Sequence, residues 1–392
     1  MKVLIISHLY PNEANRISGL FVHYQVKELV KQGIEVRVIS PVPYAPFILS
    51  FFNNKWKEYS KIPRYCELDG VKVYHPRYIV FPRLLFYKYY GYNMLLSINF
   101  LIKRLYKNFK FDIIHSHVAF PEGFCGSMLK RKYKVPHIVT IHGQDLQYTV
   151  KRGRDFEKII YDVLKDADSV ITVSNKLKNL INDEFLKNKV RIISNGVNID
   201  DIENAKEFEH KRIDILSVSN LYKTKGIDLN ILAVKKLIEE GYDVNYYVIG
   251  DGPERERLQR MVIDNDLERN IIFLGRLGNK EVLKYMKTAK IFCLPSYEEG
   301  FGIAYIEAMA SGKPAIAIKG QGIEDVIKDG YNGLLVNPDV DEIYAALKKL
   351  IDDESLRTNL GQNAKNTVYK GFTWQSSVRK LIEIYESMLI IE

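Results

Sequence analysis

The sequence predicts an α/β protein made of two doubly wound domains facing a central cleft. Three observations point there. Short apolar runs of strand length alternate with helical segments along most of the chain, as in mostly parallel sheets covered on both faces. The alternation breaks once, in a polar stretch opened by Asn195-Gly196-Val197-Asn198 and closed near His210, and then restarts. Each loop of unusual composition follows a strand, and doubly wound sheets bind their ligands at the carboxyl ends of strands.

In the first half, Lys2 to Ser7 reads as a buried strand. Ser18-Gly19-Leu20-Phe21-Val22 opens a helix that continues to Lys31, and Gly33 ends it. Glu35–Ser40, Val71–His75, Asp112–His117, Pro136–His142 and Ser169–Ser174 read as further strands. In the second half the strands are Ile213–Val218, Val244–Ile249, Ile271–Leu274, Ile291–Leu294 and Ala315–Ile318, with helices between them. The division expected is 1–200, 201–372, and a closing helix over 373–392 that crosses back to the first domain. A chain of 392 residues suits two domains of ordinary size.

Composition narrows the class. A hydrophobic fraction of 46% and a charged fraction of 27% describe a globular chain. Cys66, Cys125 and Cys293 lie far apart without C-x-x-C spacing, against a zinc site or a disulfide framework and in keeping with a cytoplasmic protein. Met1 to Ile6 resembles a signal peptide only superficially, because His8, Pro11, Asn12 and Glu13 interrupt it, and no apolar run reaches bilayer-spanning length. The net charge of +9 favours an anionic partner.

The chemistry concentrates in Pro295 to Glu307. A short strand enters it, a helix leaves it, and Ser311-Gly312-Lys313-Pro314 stops that helix. The turn at Glu298–Gly302 leaves backbone N–H groups unpaired at a helix N-terminus, and Gly300 and Gly302 let a ligand approach closely. Glu299 and Glu307 add acceptors on either side. Donors for phosphate beside acceptors for hydroxyls suit a sugar phosphate. Ser219–Gly226, with Lys225 before a glycine, reads as a diphosphate clamp or as a solvated basic loop. Gly250-Asp251-Gly252-Pro253 alone reads as a plain strand-to-helix turn.

His142, at a strand end before glycine, reads as functional. His115 and His117 are read as pointing to opposite faces, with only one at the cleft and His115 a hydrogen-bonded core residue. A metal-binding H-x-H pair lacks matching ligands elsewhere. From Arg77 to Lys110 the chain has no acidic residue and interleaves Arg83, Lys88, Lys103, Arg104, Lys107 and Lys110 with aromatics, with Pro46–Phe52 and Trp56 nearby. This stretch reads either as core beneath a basic helix or as a surface on anionic lipid. No nucleic-acid module appears.

With these residues placed, the chain resembles the GT-B glycosyltransferases of family 4, over nearly its whole length and in the expected order. The motifs are Ser18-Gly19, His115-Ser-His117 with Pro121-Glu122-Gly123, Thr140-Ile-His142-Gly-Gln-Asp145, Val173-Ser174, Asn195-Gly196-Val197, Lys225-Gly226 and Gly250-Asp-Gly252-Pro253. They continue through Glu298-Glu-Gly300-Phe-Gly302, Glu307-Ala-Met-Ala-Ser-Gly312 and Asn332-Gly333-Leu-Leu-Val336. Glu299 and Glu307 keep the family's E-x₇-E spacing.

The resemblance implies two Rossmann-like domains and a retaining, nucleotide-sugar-dependent enzyme, with a UDP-sugar favoured. It implies that Gly19 and the following amides, and Lys225 from the second domain, meet the donor phosphates. Glu307 would bind the ribose, Glu299 and the amides of Gly300, Phe301, Gly302 and Ile303 the donor sugar. His142 would lie near the reacting carbon, and Gly250 and Gly252 beside base and phosphates. His117, Glu122 and Asp145 fall on the acceptor side. Two positions depart from the pattern. Ser219-Asn220-Leu221 stands where many relatives have Gly-Arg-Leu, which removes a second cation and leaves Asn220 in the donor loop. Gln321-Gly322 replaces the commoner Gly-Gly.

On this reading the substrate is a nucleoside-diphosphate sugar, no cofactor is needed, and no D-x-D motif suggests a metal. The acceptor would be a cell-surface polysaccharide or glycolipid, and the enzyme cytoplasmic and peripheral on an anionic membrane face. A rival within the fold is a sucrose- or trehalose-type enzyme with a small soluble acceptor. A nicotinamide dehydrogenase lacks its G-x-G-x-x-G turn in either domain. A non-catalytic sugar-nucleotide binder fits poorly with His142, Glu299 and Lys225 together.

Overall fold

The computed structural model describes residues 1–45, 54–81 and 85–390. Pro46–Phe52 and Arg83, both part of the basic aromatic reading, lie outside them. The chain packs as two units, Met1–Ser194 with Trp374–Glu392, and Asn195–Thr373.

In the first unit the strands are β1 (Lys2–Ile6), β2 (Glu35–Ile39), β3 (Val42–Pro43), β4 (Tyr65–Leu68), β5 (Val71–Tyr74), β6 (Arg77–Tyr78), β7 (Ile113–His117), β8 (His137–Ile141), β9 (Ser169–Thr172) and β10 (Val190–Ile192). The main sheet runs β10-β9-β8-β7-β1-β2-β5-β4, parallel except at the β4–β5 edge, and β3 pairs with β6 separately. Both faces are covered, so β1 is apolar without alternation: Val3, Leu4, Ile5 and Ile6 are all fully buried. Chain order reverses between β1 and β7, which makes the loops after those two strands neighbours.

The helix Trp374–Leu389 belongs to this unit. Its Val378, Leu381 and Tyr385 recur on one face and join the core with Val22, Val26 and Leu29 of the helix Leu20–Lys31. Tyr385 donates or accepts at 2.6 Å from His115 Nδ1, which ties the end of the chain to β7. The helix Tyr90–Tyr106 buries Met94, Ile98, Ile102 and Leu105 beneath it and leaves Tyr92, Leu96 and Phe100 exposed. The core reading of this stretch describes its buried face.

The second unit holds β11 (Ile215–Val218), β12 (Tyr246–Ile249), β13 (Ile271–Gly275), β14 (Ile291–Cys293), β15 (Ala315–Ile318) and β16 (Gly333–Val336), in the order β13-β12-β11-β14-β15-β16. All pairs are parallel. The order reverses between β11 and β14. Beneath that point Asn230 Nδ2 donates to Ser217 Oγ, Tyr246 hydroxyl and the Cys293 carbonyl at 3.0–3.1 Å, so buried polar groups lock the two strands together. Strands β3, β4, β6, β10 and β16 go beyond the strands read from sequence. Among the described residues no helix is long and apolar enough to cross a membrane.

Candidate active site

In the second unit the loops after β11 and β14 meet. The Tyr297 amide donates to the Thr224 carbonyl at 3.0 Å and the Tyr297 hydroxyl to the Lys223 carbonyl at 2.9 Å. Gly226 has φ +64°, and a Cβ there would stand 2.3 Å from the Pro295 carbonyl oxygen, so only glycine fits. This junction brings Lys225 Nζ to 2.7 Å from Glu299 Oε2, with only 19% and 16% of the two side chains exposed. They sit beside the helix Ile303–Ala310, which Gly302 opens at φ +95°. The first amides of that helix lack intrahelical partners, and its dipole adds positive potential there.

Gln321, one of the two departures, has a place in this site. Its Oε1 accepts from the Glu299 amide at 3.0 Å, and the Gly322 amide donates to the Glu299 carbonyl at 3.3 Å. A Cβ on Gly322 would collide with the Gly300 carbonyl. The Gln321-Gly322 segment therefore braces the turn that carries Glu299. Glu307 lies one turn further along this helix, half-buried. Burial, with Asp201 nearby, pushes its carboxyl up to about 7. Asn220 is exposed. Gly250 and Gly252 face backbone: a Cβ on either would overlap the carbonyl of Ser219 or Leu221. Their glycines follow from the packing of two loops, one of which is the Ser219–Gly226 loop.

In the first unit the matching reversal joins the loops after β1 and β7. The His8 amide donates to Glu122 Oε1 at 2.9 Å, and His8 Nδ1 hydrogen-bonds the same oxygen. Burial opposes charging of His8, yet the Glu122 carboxylate outweighs it and raises the imidazole above its ordinary value. Asp145 Oδ1 accepts from the Ala119 amide at 3.1 Å and the Phe120 amide at 3.4 Å. Burial, then repulsion from Glu122, pushes Asp145 up to about 7. Glu122 Oε2 and Asp145 Oδ2 are buried and accept no hydrogen bond. Two orphaned carboxylate oxygens at one switch point are an open offer to hydroxyl donors.

His117 Nδ1 and His142 Nε2 lie 2.9 Å apart, so one donates and the other accepts. Desolvation holds His142 down to about 3 and His117 well below its ordinary value, which makes both neutral. Phe21 packs on His142 with ring centres 4.6 Å apart. His115 and His117 are two residues apart on β7, and such side chains share a face. Their rings stack at 4.5 Å, which corrects the reading that put them on opposite faces. His115 is a core residue, fully buried between Tyr385 and Thr140 Oγ1 at 2.7 Å. Gly19 opens the helix Leu20–Lys31 at φ +63°, against the Leu9 carbonyl, so the loop after β1 folds back onto the helix start.

His8 escaped the sequence reading. Its signal was its position one residue past Ser7, at the end of the first strand. The chain does carry Asp-x-Asp pairs, which lie outside these loops. Asp166 and Asp168 are engaged by Arg131 and Lys130, Asp264 and Asp266 follow the helix Arg255–Ile263, and Asp339 caps the helix Val340–Asp352. Among the described residues no group of three or more His, Cys, Asp and Glu side chains could hold a metal ion.

Comparison with known proteins gives this arrangement a context. The model of the family described as Glycosyltransferase Family 4 matches residues 18–201, and that of Glycosyl transferases group 1 matches residues 198–367. An uncharacterized glycosyltransferase of Methanocaldococcus jannaschii is 33% identical over 99% of each chain. An alpha-monoglucosyldiacylglycerol synthase of Streptococcus pneumoniae is 29% identical over 62% of this chain and 60% of its own. Among solved structures, Anabaena HepE in complex with UDP superposes with a TM-score of 0.72, at 17% identity, over 99% of this chain and 100% of its own. Two Rossmann-like units, these loops at their switch points and a relative matched end to end place the chain among the GT-B glycosyltransferases of family 4.

Proposed function

We propose that the protein transfers a sugar, with retention of anomeric configuration and without a metal, from a nucleoside-diphosphate sugar to a cell-surface polysaccharide or glycolipid. A UDP-sugar is the favoured donor. The observation that carries this reading is the Lys225–Glu299 pair beside the glycine-opened start of the helix Ile303–Ala310. It combines a cation, backbone donors and a carboxylate acceptor within one turn. Phosphate oxygens need the first two, and sugar hydroxyls need the third.

Cleavage of the bond from sugar to diphosphate builds negative charge on the leaving phosphate while the sugar becomes cation-like. Lys225 and the amides of Gly300 to Ile303 stabilise that charge most strongly in the transition state, and only such differential binding accelerates the reaction. Glu299 holds sugar hydroxyls, and Glu307 the ribose. Asn220, Gly250 and Gly252 border the base and phosphates, and the helix start at Gly19 offers donors to phosphate. The incoming hydroxyl attacks from the leaving group's own side and passes its proton to a departing phosphate oxygen, so no covalent nucleophile is required. His142 serves the sugar near the reacting carbon as a neutral imidazole. His117, Glu122 and Asp145 serve the acceptor, whose hydroxyls would satisfy the two orphaned carboxylate oxygens.

The acceptor class rests on the exposed Tyr92, Leu96 and Phe100 and on the exposed basic Lys103 and Lys107 that follow them, which suit an enzyme peripheral to an anionic membrane face. The S. pneumoniae relative is named as a synthase of a glycolipid, which agrees with a lipid-linked acceptor. The test is proton NMR of the product formed from UDP-, GDP- and ADP-sugars with membrane lipid and polysaccharide acceptors. An anomeric coupling that matches the donor supports the reading. Inverted product, or transfer only to a small soluble sugar, would refute it in mechanism or acceptor.

A further inference from the structure

A cavity of about 810 Å³ opens in the first unit where the helix Tyr90–Tyr106 crosses the ends of β4, β5 and β6. Arg37, Arg64, Arg77 and Arg104 line it, and no carboxylate does. Arg37 comes from within β2, Arg77 from β6, Arg64 from just before β4 and Arg104 from the helix. None of the switch-point residues lines this cavity.

These guanidiniums are poorly served by the protein itself. Arg37 is stacked on Phe109, 4.4 Å from the ring centre, and its side chain is 14% exposed. Its carboxylate partner is Glu35, at 3.8 Å and half exposed, while Arg37 Nε is buried with no acceptor. Arg77 donates one NH2 to the Ile62 carbonyl, and its other terminal nitrogen is buried with no acceptor. Burial, then the charge of Arg64, pull Arg77 below its ordinary value. Among the described residues, Arg64, Arg77 and Arg104 have no ion-pair partner. Four like charges around one cavity, with two buried donors unused, are costly unless an anion completes them.

We propose that this cavity is a binding site for a phosphate ester, distinct from the sugar-transfer site. The guanidinium fork matches phosphate oxygens two at a time, which a lysine cluster would not. A lone phosphate would leave most of the space unfilled, so the ligand carries a polar body of headgroup or sugar size. Tyr65 and Tyr74, paired at 5.2 Å on the rim, offer hydroxyls and ring faces to that body. Phe100, 79% exposed, lines the cavity and also belongs to the exposed apolar face with Tyr92 and Leu96. That continuity allows the ester to be a lipid headgroup, and the open cavity equally admits a soluble ester. The inference does not depend on which sugar is transferred, or on transfer at all.

The test uses the full chain with two probes: calorimetric titration with glycerol 1-phosphate, and co-sedimentation with phosphatidylcholine vesicles with and without phosphatidylglycerol. Arg37→Gln and Arg77→Gln should each weaken binding at least about tenfold, whereas Lys349→Gln, an equal charge loss on the exposed face of the helix Val340–Asp352 in the second unit, should change it less than about twofold. Binding of the soluble ester with this pattern assigns a soluble phosphate. Binding to the anionic vesicles alone, with this pattern, assigns a lipid headgroup. If Arg77→Gln misfolds, the exposed pair Arg64→Gln/Arg104→Gln carries the same comparison. Binding of neither probe, a loss with Lys349→Gln equal to that with Arg37→Gln, or displacement of the ester by UDP would overturn the proposal.

Discussion

Lys225 Nζ donates a 2.7 Å hydrogen bond to Glu299 Oε2, across the two loops that the β11/β14 reversal brings together. In the proposed reaction these groups serve opposite partners, a phosphate and a set of hydroxyls. Without substrate each neutralises the other, so neither is left as an uncompensated, half-buried charge. Substrate binding must exchange this pair for two new ones. Lys225→Ala is therefore expected to lower kcat/KM by a hundredfold or more, roughly 3–4 kcal/mol by analogy with loss of an oxyanion donor. Glu299→Gln should separate the roles. It frees Lys225, so binding of bare nucleoside diphosphate holds or tightens, while sugar transfer falls; calorimetry and a transfer assay on the same variant read both.

Gln321→Ala removes the acceptor of the Glu299 amide. Loss of one such brace costs about 1 kcal/mol, so the KM for the donor should rise about fivefold, with smaller change in thermal stability. A change confined to Tm would argue that Gln321 supports only the fold. Comparing KM with Tm for wild type and variant decides it.

The two sheets were legible from the chain because buried parallel strands are continuous apolar runs, and Val3–Ile6 and Ala315–Ile318 are of that kind. The loops were legible for a related reason: ligands in such folds meet the chain where strands end, and glycine, lysine and glutamate collect there. What composition could not show is which loops touch. The contact of Lys225 with Glu299, 74 residues apart in the chain, depends on a strand order that places β11 beside β14. Strands as short as Val190–Ile192 carry too few residues to display a period. His8 looks like an ordinary polar residue until Glu122 is placed against it by the same kind of reversal. The stacked histidines were misread because spacing of two along a strand repeats a face rather than alternating it.

Asp145 should be a site where function is held at the expense of stability. Its carboxyl keeps its proton in the folded chain up to about 7, against 3.8 otherwise. The unfolded chain loses that proton first, so its contribution to stability falls as pH rises from about 4 to 7 and stays low above. Asparagine keeps the Oδ1 that accepts from Ala119 and Phe120 but cannot ionise. Asp145→Asn should therefore unfold less readily at pH 8, by about 1–3 kcal/mol, with the gain shrinking toward pH 4, and should transfer sugar more slowly. Urea titrations at the two pH values measure the first effect.

The buried histidines give the opposite slope. Burial, first of all, holds His115, His137 and His142 down to about 3, so between that value and 6.5 the unfolded chain binds protons the folded chain refuses. Stability is complete above pH 6.5 and lost as pH falls through this window. His115→Gln retains a hydrogen-bonding side chain between Tyr385 and Thr140 and removes one titrating group. The fall in stability between pH 6.5 and 4.5 should be smaller in this variant by roughly 2–3 kcal/mol. An unchanged acid limb would mean that His115 does not titrate with unfolding.

The central claim is that the second unit holds a nucleoside diphosphate through Lys225. Calorimetric titration of the whole protein with UDP, GDP, ADP and NAD, repeated on Lys225→Ala, tests it most directly. The account predicts tight binding of one nucleoside diphosphate, UDP foremost, and its loss in the variant. Binding of NAD alone, or nucleotide affinity untouched by the loss of Lys225, would contradict it.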